Sequence, residues 1–245
     1  MLAYNDFGSG IPLVLIHGLG SRKEAWCPQY ELAEHFRLII PDLRGHGETG
    51  LDNNITVRNF AKDIIKLLDY LCIPSAFIGG LSLGGIVAQE LYKQRPELVR
   101  GLILSNTTSY IPSLLAFQSI TSASIQLRKG RREKLVDQIV KTSLYDHSYQ
   151  EEAIDAFYIR DTYLKSAWAP VGVNYFPILP TIKKPVLLIG STHDRVTPYA
   201  NIFLMRTYIR NVRTALLKKT GHLSNIERKE EFNQYIRDFI YTNAC

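Results

Sequence analysis

Short apolar runs, each stopped abruptly by glycine, proline or a small polar residue, dictate the architecture open to this chain. Pro12-Leu13-Val14-Leu15-Ile16 stops at His17-Gly18-Leu19-Gly20, Leu38-Ile39-Ile40 at Pro41-Asp42, and Ala76-Phe77-Ile78 at Gly79-Gly80. Leu102-Ile103-Leu104 stops at Ser105-Asn106, Val186-Leu187-Leu188-Ile189 at Gly190, and a shorter run follows at Ala215-Leu216-Leu217. A strand with one wet face alternates apolar and polar residues, whereas runs without alternation suit strands buried on both faces of a parallel sheet. Between the runs the period becomes helical. Val57, Phe60, Ala61, Ile64, Ile65, Leu68 and Leu71 share one face, with Thr56 placed to cap the first turn, and Phe232, Tyr235, Ile236 and Phe239 repeat the spacing. Strand alternating with helix predicts βαβ units and an α/β fold built on a doubly wound, mostly parallel sheet.

Residues 109 to 176 break this rhythm. They carry helical patterns and many aromatics, Tyr110, Phe117, Phe157, Tyr163 and Trp168 among them, but no strong parallel-strand run. The expectation is a core domain made of residues 1–108 and 177–245, with residues 109–176 inserted as a helical cap or lid. Its aromatics then pack the cap onto the sheet or line a ligand cleft beneath it.

Other classes of protein are excluded on simple counts. With 245 residues, 46% of them apolar and 21% charged, the chain can build a sizeable core. Its longest apolar stretch, Ile11 to Ile16, falls far short of the roughly 20 residues needed to span a bilayer. Met1 leads straight to Tyr4-Asn5-Asp6, with no basic and apolar leader pattern. Cys27, Cys72 and Cys245 are scattered without metal or redox spacing, so reduced thiols and a cytoplasmic location are expected, with no metal and no cofactor. The net charge of +6 is spread along the chain, so neither a nucleic-acid nor a membrane partner is expected. Its one dense run, Arg128-Lys129-Gly130-Arg131-Arg132, reads as a solvated turn or helix end. The sharper alternative is guidance of an anionic substrate, should the run lie at a pocket mouth.

The chemistry is concentrated in Gly80-Leu81-Ser82-Leu83-Gly84. A Gly-x-Ser-x-Gly between a strand and a helix is a nucleophile elbow: the turn leaves no room for side chains at 80 and 84, and lifts the Ser82 hydroxyl to a helix N-terminus. A serine hydroxyl needs a base that is itself oriented by an acid. His222, in Thr220-Gly221-His222-Leu223-Ser224, is the base candidate. His17 and His46 stand in glycine turns that favour structural hydrogen bonds, His35 and His147 in helical or capping stretches, and His193 on the same loop as the acid candidate. That acid is Asp194, directly after the Val186–Ile189 run; its bland alternative is a turn cap. The neighbourhood after Leu102–Leu104, where a rival acid might have stood, holds Asn106. Backbone N–H groups of Leu83 and Leu19 are the candidate oxyanion donors.

These segments resemble the α/β-hydrolase superfamily of serine hydrolases. The resemblance rests on His17-Gly18-Leu19-Gly20, Pro41-Asp42-Leu43-Arg44-Gly45-His46-Gly47, Gly80–Gly85, Gly190 through Asp194 to Thr197-Pro198, and Gly221–Glu227. Within the superfamily, Leu81 and the Gly221–Glu227 stretch are most similar to the 3-oxoadipate enol-lactonase-like and small carboxylesterase branch. Meta-cleavage C–C hydrolases usually have Asn at the place of Leu81, haloalkane dehalogenases Asp at Ser82, and proline iminopeptidases Trp at Leu83. The chain departs from the pattern at Thr49, where serine is usual, and in its short N-terminus, which implies about seven strands instead of eight. The resemblance implies a hydrolase acting on a small-molecule carboxylic ester or lactone through an acyl-enzyme on Ser82. A C–C bond hydrolase, thioesterase or acyltransferase using the same three residues, or a ligand sensor without turnover, are the alternatives.

Overall fold

In the computed structural model, which describes residues 1–244 and every side chain among them except that of Leu115, the apolar runs become the middle of a seven-stranded sheet. Its strands are β1 (Tyr4–Phe7), β2 (Ile11–Ile16), β3 (Phe36–Pro41), β4 (Ala76–Leu81), β5 (Val99–Ser105), β6 (Val186–Ser191) and β7 (Val212–Leu217), in the order β1-β3-β2-β4-β5-β6-β7. Only β1 runs antiparallel, against the edge of β3; every other pairing is parallel. The strand count is the one expected from the short N-terminus, and Cys245 lies outside the described residues.

The runs lack alternation because both sheet faces are covered. Val14 and Ile16 of β2 pack into a core with Phe60, Ile64 and Leu68 of α1 (Val57–Tyr70) and with Ile86, Val87 and Leu91 of α2 (Leu83–Gln94). Their neighbours Leu13 and Leu15 point the other way, into a core with Trp26, Phe232, Ile236 and Phe239. The Thr56 hydroxyl caps α1 by accepting from the Asn59 N–H at 3.1 Å, as the spacing predicts.

Between β5 and β6 the chain forms α3 (Ser113–Arg128), α4 (Arg132–Ser143), α5 (Gln150–Asp155) and α6 (Tyr163–Trp168). Of these, α3, α4 and α6 share a small apolar cluster of Ile120, Ala123, Leu135, Tyr163 and Ala167 with the loop residue Ile159, while Ala153 of α5 packs into the Trp26 core. An isolated bridge between Tyr110 and Asn174 ties together the two ends of this segment. The chain closes with α7 (Ala200–Arg206), α8 (Ser224–Glu227) and α9 (Lys229–Asn243). Arg128 to Arg132 form the α3–α4 turn and all five are exposed, which makes the run a solvated turn. The aromatics divide: Tyr163 joins this cluster and Tyr149, Phe157, Tyr175 and Phe176 pack against the two cores, as expected, whereas Tyr110, Phe117, Tyr145, Tyr158 and Trp168 are exposed.

The order of the strands fixes where a site can form. After β3 the chain crosses β2 to lay down β4 on its other side, so the winding reverses between β2 and β4. Such a reversal opens a crevice at the C-terminal strand ends. The loop after Ile16 and the turn after Leu81 meet there, since Ile16 is registered with Gly80.

Candidate active site

Ser82 joins β4 to α2 with φ +56° and ψ −118°, a conformation that costs a non-glycine residue strain and persists only when its surroundings impose it. They do so here. The Ser82 N–H donates to the Ser105 carbonyl at 3.0 Å, and the Ser82 carbonyl accepts from the Gly85 N–H at 3.0 Å and the Thr107 hydroxyl at 2.7 Å. A Cβ at Gly84 would overlap the Ile16 carbonyl, and one at Gly80 would overlap the Gly84 backbone. The turn therefore requires glycine on both sides of the serine, as the sequence predicts.

The loop after β7 brings His222 against Asp194. The His222 Nδ1 lies 2.8 Å from Asp194 Oδ2, both side chains being buried. Asp194 Oδ1 accepts from the Val196 and Thr197 N–H groups at 2.8 Å each, so this carboxylate caps its own turn while its other oxygen contacts His222. Burial by itself would raise the Asp194 carboxyl, but His222 and these N–H donors hold it below the ordinary carboxylate range. An ionised carboxylate only accepts, so the His222 proton belongs on Nδ1 and the Nε2 lone pair is free. Ser82 and His222 line one cavity of about 350 Å³ together with His17, Gly18 and Leu19.

The N–H groups of Leu19 and Leu83 have no protein acceptor among the described residues. Leu83 opens α2, where N–H groups lack intrahelical partners. Leu19 is held in place through His17, whose Nδ1 bonds the Gly18 carbonyl at 2.8 Å while Nε2 accepts the Leu43 N–H at 3.0 Å. With both nitrogens occupied, His17 is structural, as the sequence suggests. His46 binds the Arg44 carbonyl at 3.0 Å, and the His193 ring packs at a tilt against Tyr145 with centroids 4.3 Å apart. At the departure from the superfamily pattern, Thr49 supplies the hydroxyl in place of serine, donating to the Asp42 carbonyl at 2.8 Å and accepting from the Ala3 N–H at 2.9 Å.

Three residues that the sequence did not single out as site residues hold the His222 loop. Asn106, buried with φ +41°, donates from Nδ2 to the His222 carbonyl at 2.7 Å and to Ser191 and Ser224 hydroxyls at 3.0 Å. The Thr197 hydroxyl sits 2.9 Å from Asp194 Oδ2 and 2.7 Å from the Asn106 carbonyl. Glu227 accepts the Gly221 N–H on one oxygen at 2.8 Å, and the Tyr145 and Asp146 N–H groups on the other at 3.0 and 2.8 Å. Burial pushes its carboxyl above the ordinary range despite those donors. The Ser143 carbonyl at the end of α4 accepts the His222 N–H at 2.6 Å. The loop is thus anchored on one side to the sheet and on the other to the inserted helices.

Above Ser82 the cavity is walled mainly by α3 and α4. Ala123, Leu135 and Ile139 face it, and of the insertion's aromatics only Phe157 and Tyr163 do so. Among the described residues no group of three or more His, Cys, Asp or Glu is placed to share a metal ion, and no helix is long and apolar enough to cross a membrane.

Comparison with known proteins agrees with this fold. The sequence profile described as "Alpha/beta hydrolase family" matches residues 13–235. A protein of Mycobacterium tuberculosis, provisionally named non-heme bromoperoxidase BpoC, is 30% identical over 257 residues, covering 98% of this chain and 97% of its own length. The crystal structure of the enol-lactonase from Burkholderia xenovorans LB400 superposes with a TM-score of 0.88 at 26% identity, covering 98% of this chain and 96% of that one. A thermophilic esterase from Thermogutta terrifontis, solved with malate bound, gives the same TM-score and identity over 98% and 93% of the two chains. Sheet order, elbow and sequence profile converge, and the chain belongs to the alpha/beta hydrolase family.

Proposed function

We propose that this protein hydrolyses small carboxylic esters or lactones through an acyl-enzyme on Ser82. The observation that carries this is a strained serine facing the same cavity as a histidine whose far nitrogen is bonded to a buried carboxylate. Enol-lactonase and esterase neighbours of matching fold support the substrate class. His222 Nε2 takes the Ser82 proton as the oxygen attacks the carbonyl, and Asp194 stabilises the resulting imidazolium. The Leu19 and Leu83 N–H groups receive the oxyanion. His222 then protonates the leaving alcohol, and water repeats the sequence on the acyl-enzyme. Residues 109–176 act as a lid whose uncharged inner face, part apolar and part hydroxyl-bearing, sizes the substrate. The free, exposed thiols of Cys27 and Cys72 fit a reducing compartment such as the cytoplasm.

The test is steady-state hydrolysis of 4-nitrophenyl acetate, butyrate and octanoate, alongside mass-spectrometric mapping of a fluorophosphonate adduct. Turnover with one adduct per chain, on Ser82, is the expected result. An inert protein that takes up no label would remove the hydrolase function and leave a ligand sensor. Cleavage of a vinylogous diketone in preference to the esters would move the activity to C–C bonds.

The Glu227 ties make a second prediction. Glu227→Ala frees the His222 loop from the end of α4, and kcat is expected to fall about 10- to 100-fold with KM little changed, because small misplacements of a base are costly. Glu227→Gln, which keeps one acceptor oxygen, should recover part of the loss. If Glu227 served stability alone, melting temperature would fall while the folded fraction kept its full kcat.

A further inference from the structure

We propose that the Ser82 cavity selects uncharged esters or lactones and rejects substrates that carry a carboxylate on the part it encloses. This deepens the hydrolase function proposed above and rests on it. Among the described residues, no Lys, Arg, Asp or Glu lines the cavity. Its apolar lining comes from Trp26, Ala123, Leu135, Ile139, Phe157 and Ile226, and the polar side chains that the α3 and α4 helices add, Ser119, Ser122, Gln138 and Thr142, are neutral.

The ionisable groups on the wall supply no counter-charge either. Burial holds the His17 imidazole down to about 4 and pushes the Tyr163 phenol up to about 12, so both are neutral at neutral pH. The remaining one, His222, is bonded to the buried Asp194, whose negative charge disfavours a second anion nearby. Two neighbouring cations are already committed, and Arg195, beside the lining residue Val196, is exposed to solvent and stands outside the lining. Lys23 pairs with Glu48 at 2.6 Å and Asp42 at 3.5 Å, and Arg160 with Asp52 at 3.0 Å. A carboxylate entering the cavity would lose its water and meet no partner, the costliest form of burial.

The basic turn does not change this. Arg131, Arg132 and Lys134 line a separate depression that shares only Phe157 with the cavity, and Arg132 is paired with Asp161 at 2.6 Å. This sets the chain apart from the 3-oxoadipate enol-lactonases it resembles, since the enol-lactone of a dicarboxylic acid keeps one free carboxylate.

The test compares 4-nitrophenyl hexanoate, the mono-4-nitrophenyl ester of adipic acid and the methyl ester of that monoester, in which methyl, carboxylate and neutral carbomethoxy end otherwise equal acyl chains. kcat/KM is expected to be about 100-fold lower for the carboxylate than for hexanoate, with the carbomethoxy ester restored to within tenfold of hexanoate. A carboxylate penalty of less than tenfold, or a carbomethoxy ester as poor as the acid, overturns the selectivity while leaving the hydrolase function intact. No turnover on all three overturns both. The double variant Arg131→Ala, Arg132→Ala is expected to leave the adipate-to-hexanoate ratio unchanged; a selective loss on adipate would show that the basic turn reaches into the cavity and would also overturn it.

Discussion

Ser82→Ala is expected to lower kcat by about 10⁶-fold and Asp194→Asn by about 10⁴-fold, each with little change in KM. The two effects have different origins. Alanine removes the nucleophile, and what remains is catalysis by the Leu19 and Leu83 N–H groups acting on water. The Asp194 substitution keeps the shape and reverses one hydrogen bond. Asp194 Oδ1 accepts two backbone N–H groups, from Val196 and Thr197, so an asparagine must place its carbonyl oxygen there. Its NH₂ then faces His222 Nδ1, where the carboxylate oxygen had accepted at 2.8 Å. Two donors cannot face each other, so the ring proton moves to Nε2, the nitrogen that should receive the Ser82 proton. Fluorophosphonate labelling of Ser82 should slow in parallel with kcat, and a nitrogen-15 spectrum of the imidazole would show the changed tautomer. An Asp194→Asn enzyme that kept kcat within tenfold of wild type would mean that His222 is not the base.

Much of this site is legible in the sequence because each of its parts is a local necessity. Gly80 and Gly84 flank Ser82 because the turn leaves no space, and a two-residue spacing is visible in one dimension. Asp194 and His222 each follow an apolar run by a few residues, so their place at strand ends can be read before any tertiary contact is known. Asn106, Thr197 and Glu227 are different. Asn106 acts on His222 across 116 positions and Glu227 on Tyr145 across 82, and in sequence each is an ordinary polar residue near a strand or helix end. The inserted segment is legible only in part. Phe157 and Tyr163 line the cavity as its aromatic composition suggests, but Phe117, Tyr158 and Trp168 lie on the outside, and α3 and α4 turn Ser119, Ala123, Leu135 and Ile139 inward. Which face a helix buries depends on what it packs against, and an inserted segment has no sheet register to fix that in advance.

Acid is expected to unfold this protein well above the pH at which ordinary carboxylates titrate, because of two buried histidines, one in the His17–Gly20 loop and one packed against it. Burial lowers His17 to about 4; burial and the neighbouring His17 lower His46 to about 3; and the rings lie 5.1 Å apart. In the unfolded chain both titrate near 6.5. Below that pH the unfolded state binds protons that the folded state refuses, so stability is complete above about pH 7 and is lost as pH falls toward 4. Each histidine contributes up to about 1.4 kcal/mol per pH unit, which for the pair amounts to about 4 kcal/mol between pH 7 and pH 5. The structure supplies the reason for the refusal. His17 Nε2 accepts the Leu43 N–H at 3.0 Å, so a proton there replaces an acceptor with a donor. His46 Nε2 is buried with no protein partner among the described residues, and its protonation would set a charge against the Phe60 ring that the nearby Asp42, already engaged by Lys23 and by the Lys23 and Glu48 N–H groups, offsets only in part. Urea midpoints measured at pH 7, 6 and 5 should therefore fall steeply. His46→Phe, which keeps a ring of similar volume, should lower stability at pH 7 through loss of the bond to the Arg44 carbonyl, yet halve the slope between pH 6 and pH 5. A wild-type stability that stays flat down to pH 5, or a slope that His46→Phe leaves untouched, would show that these two rings accept protons in the folded state.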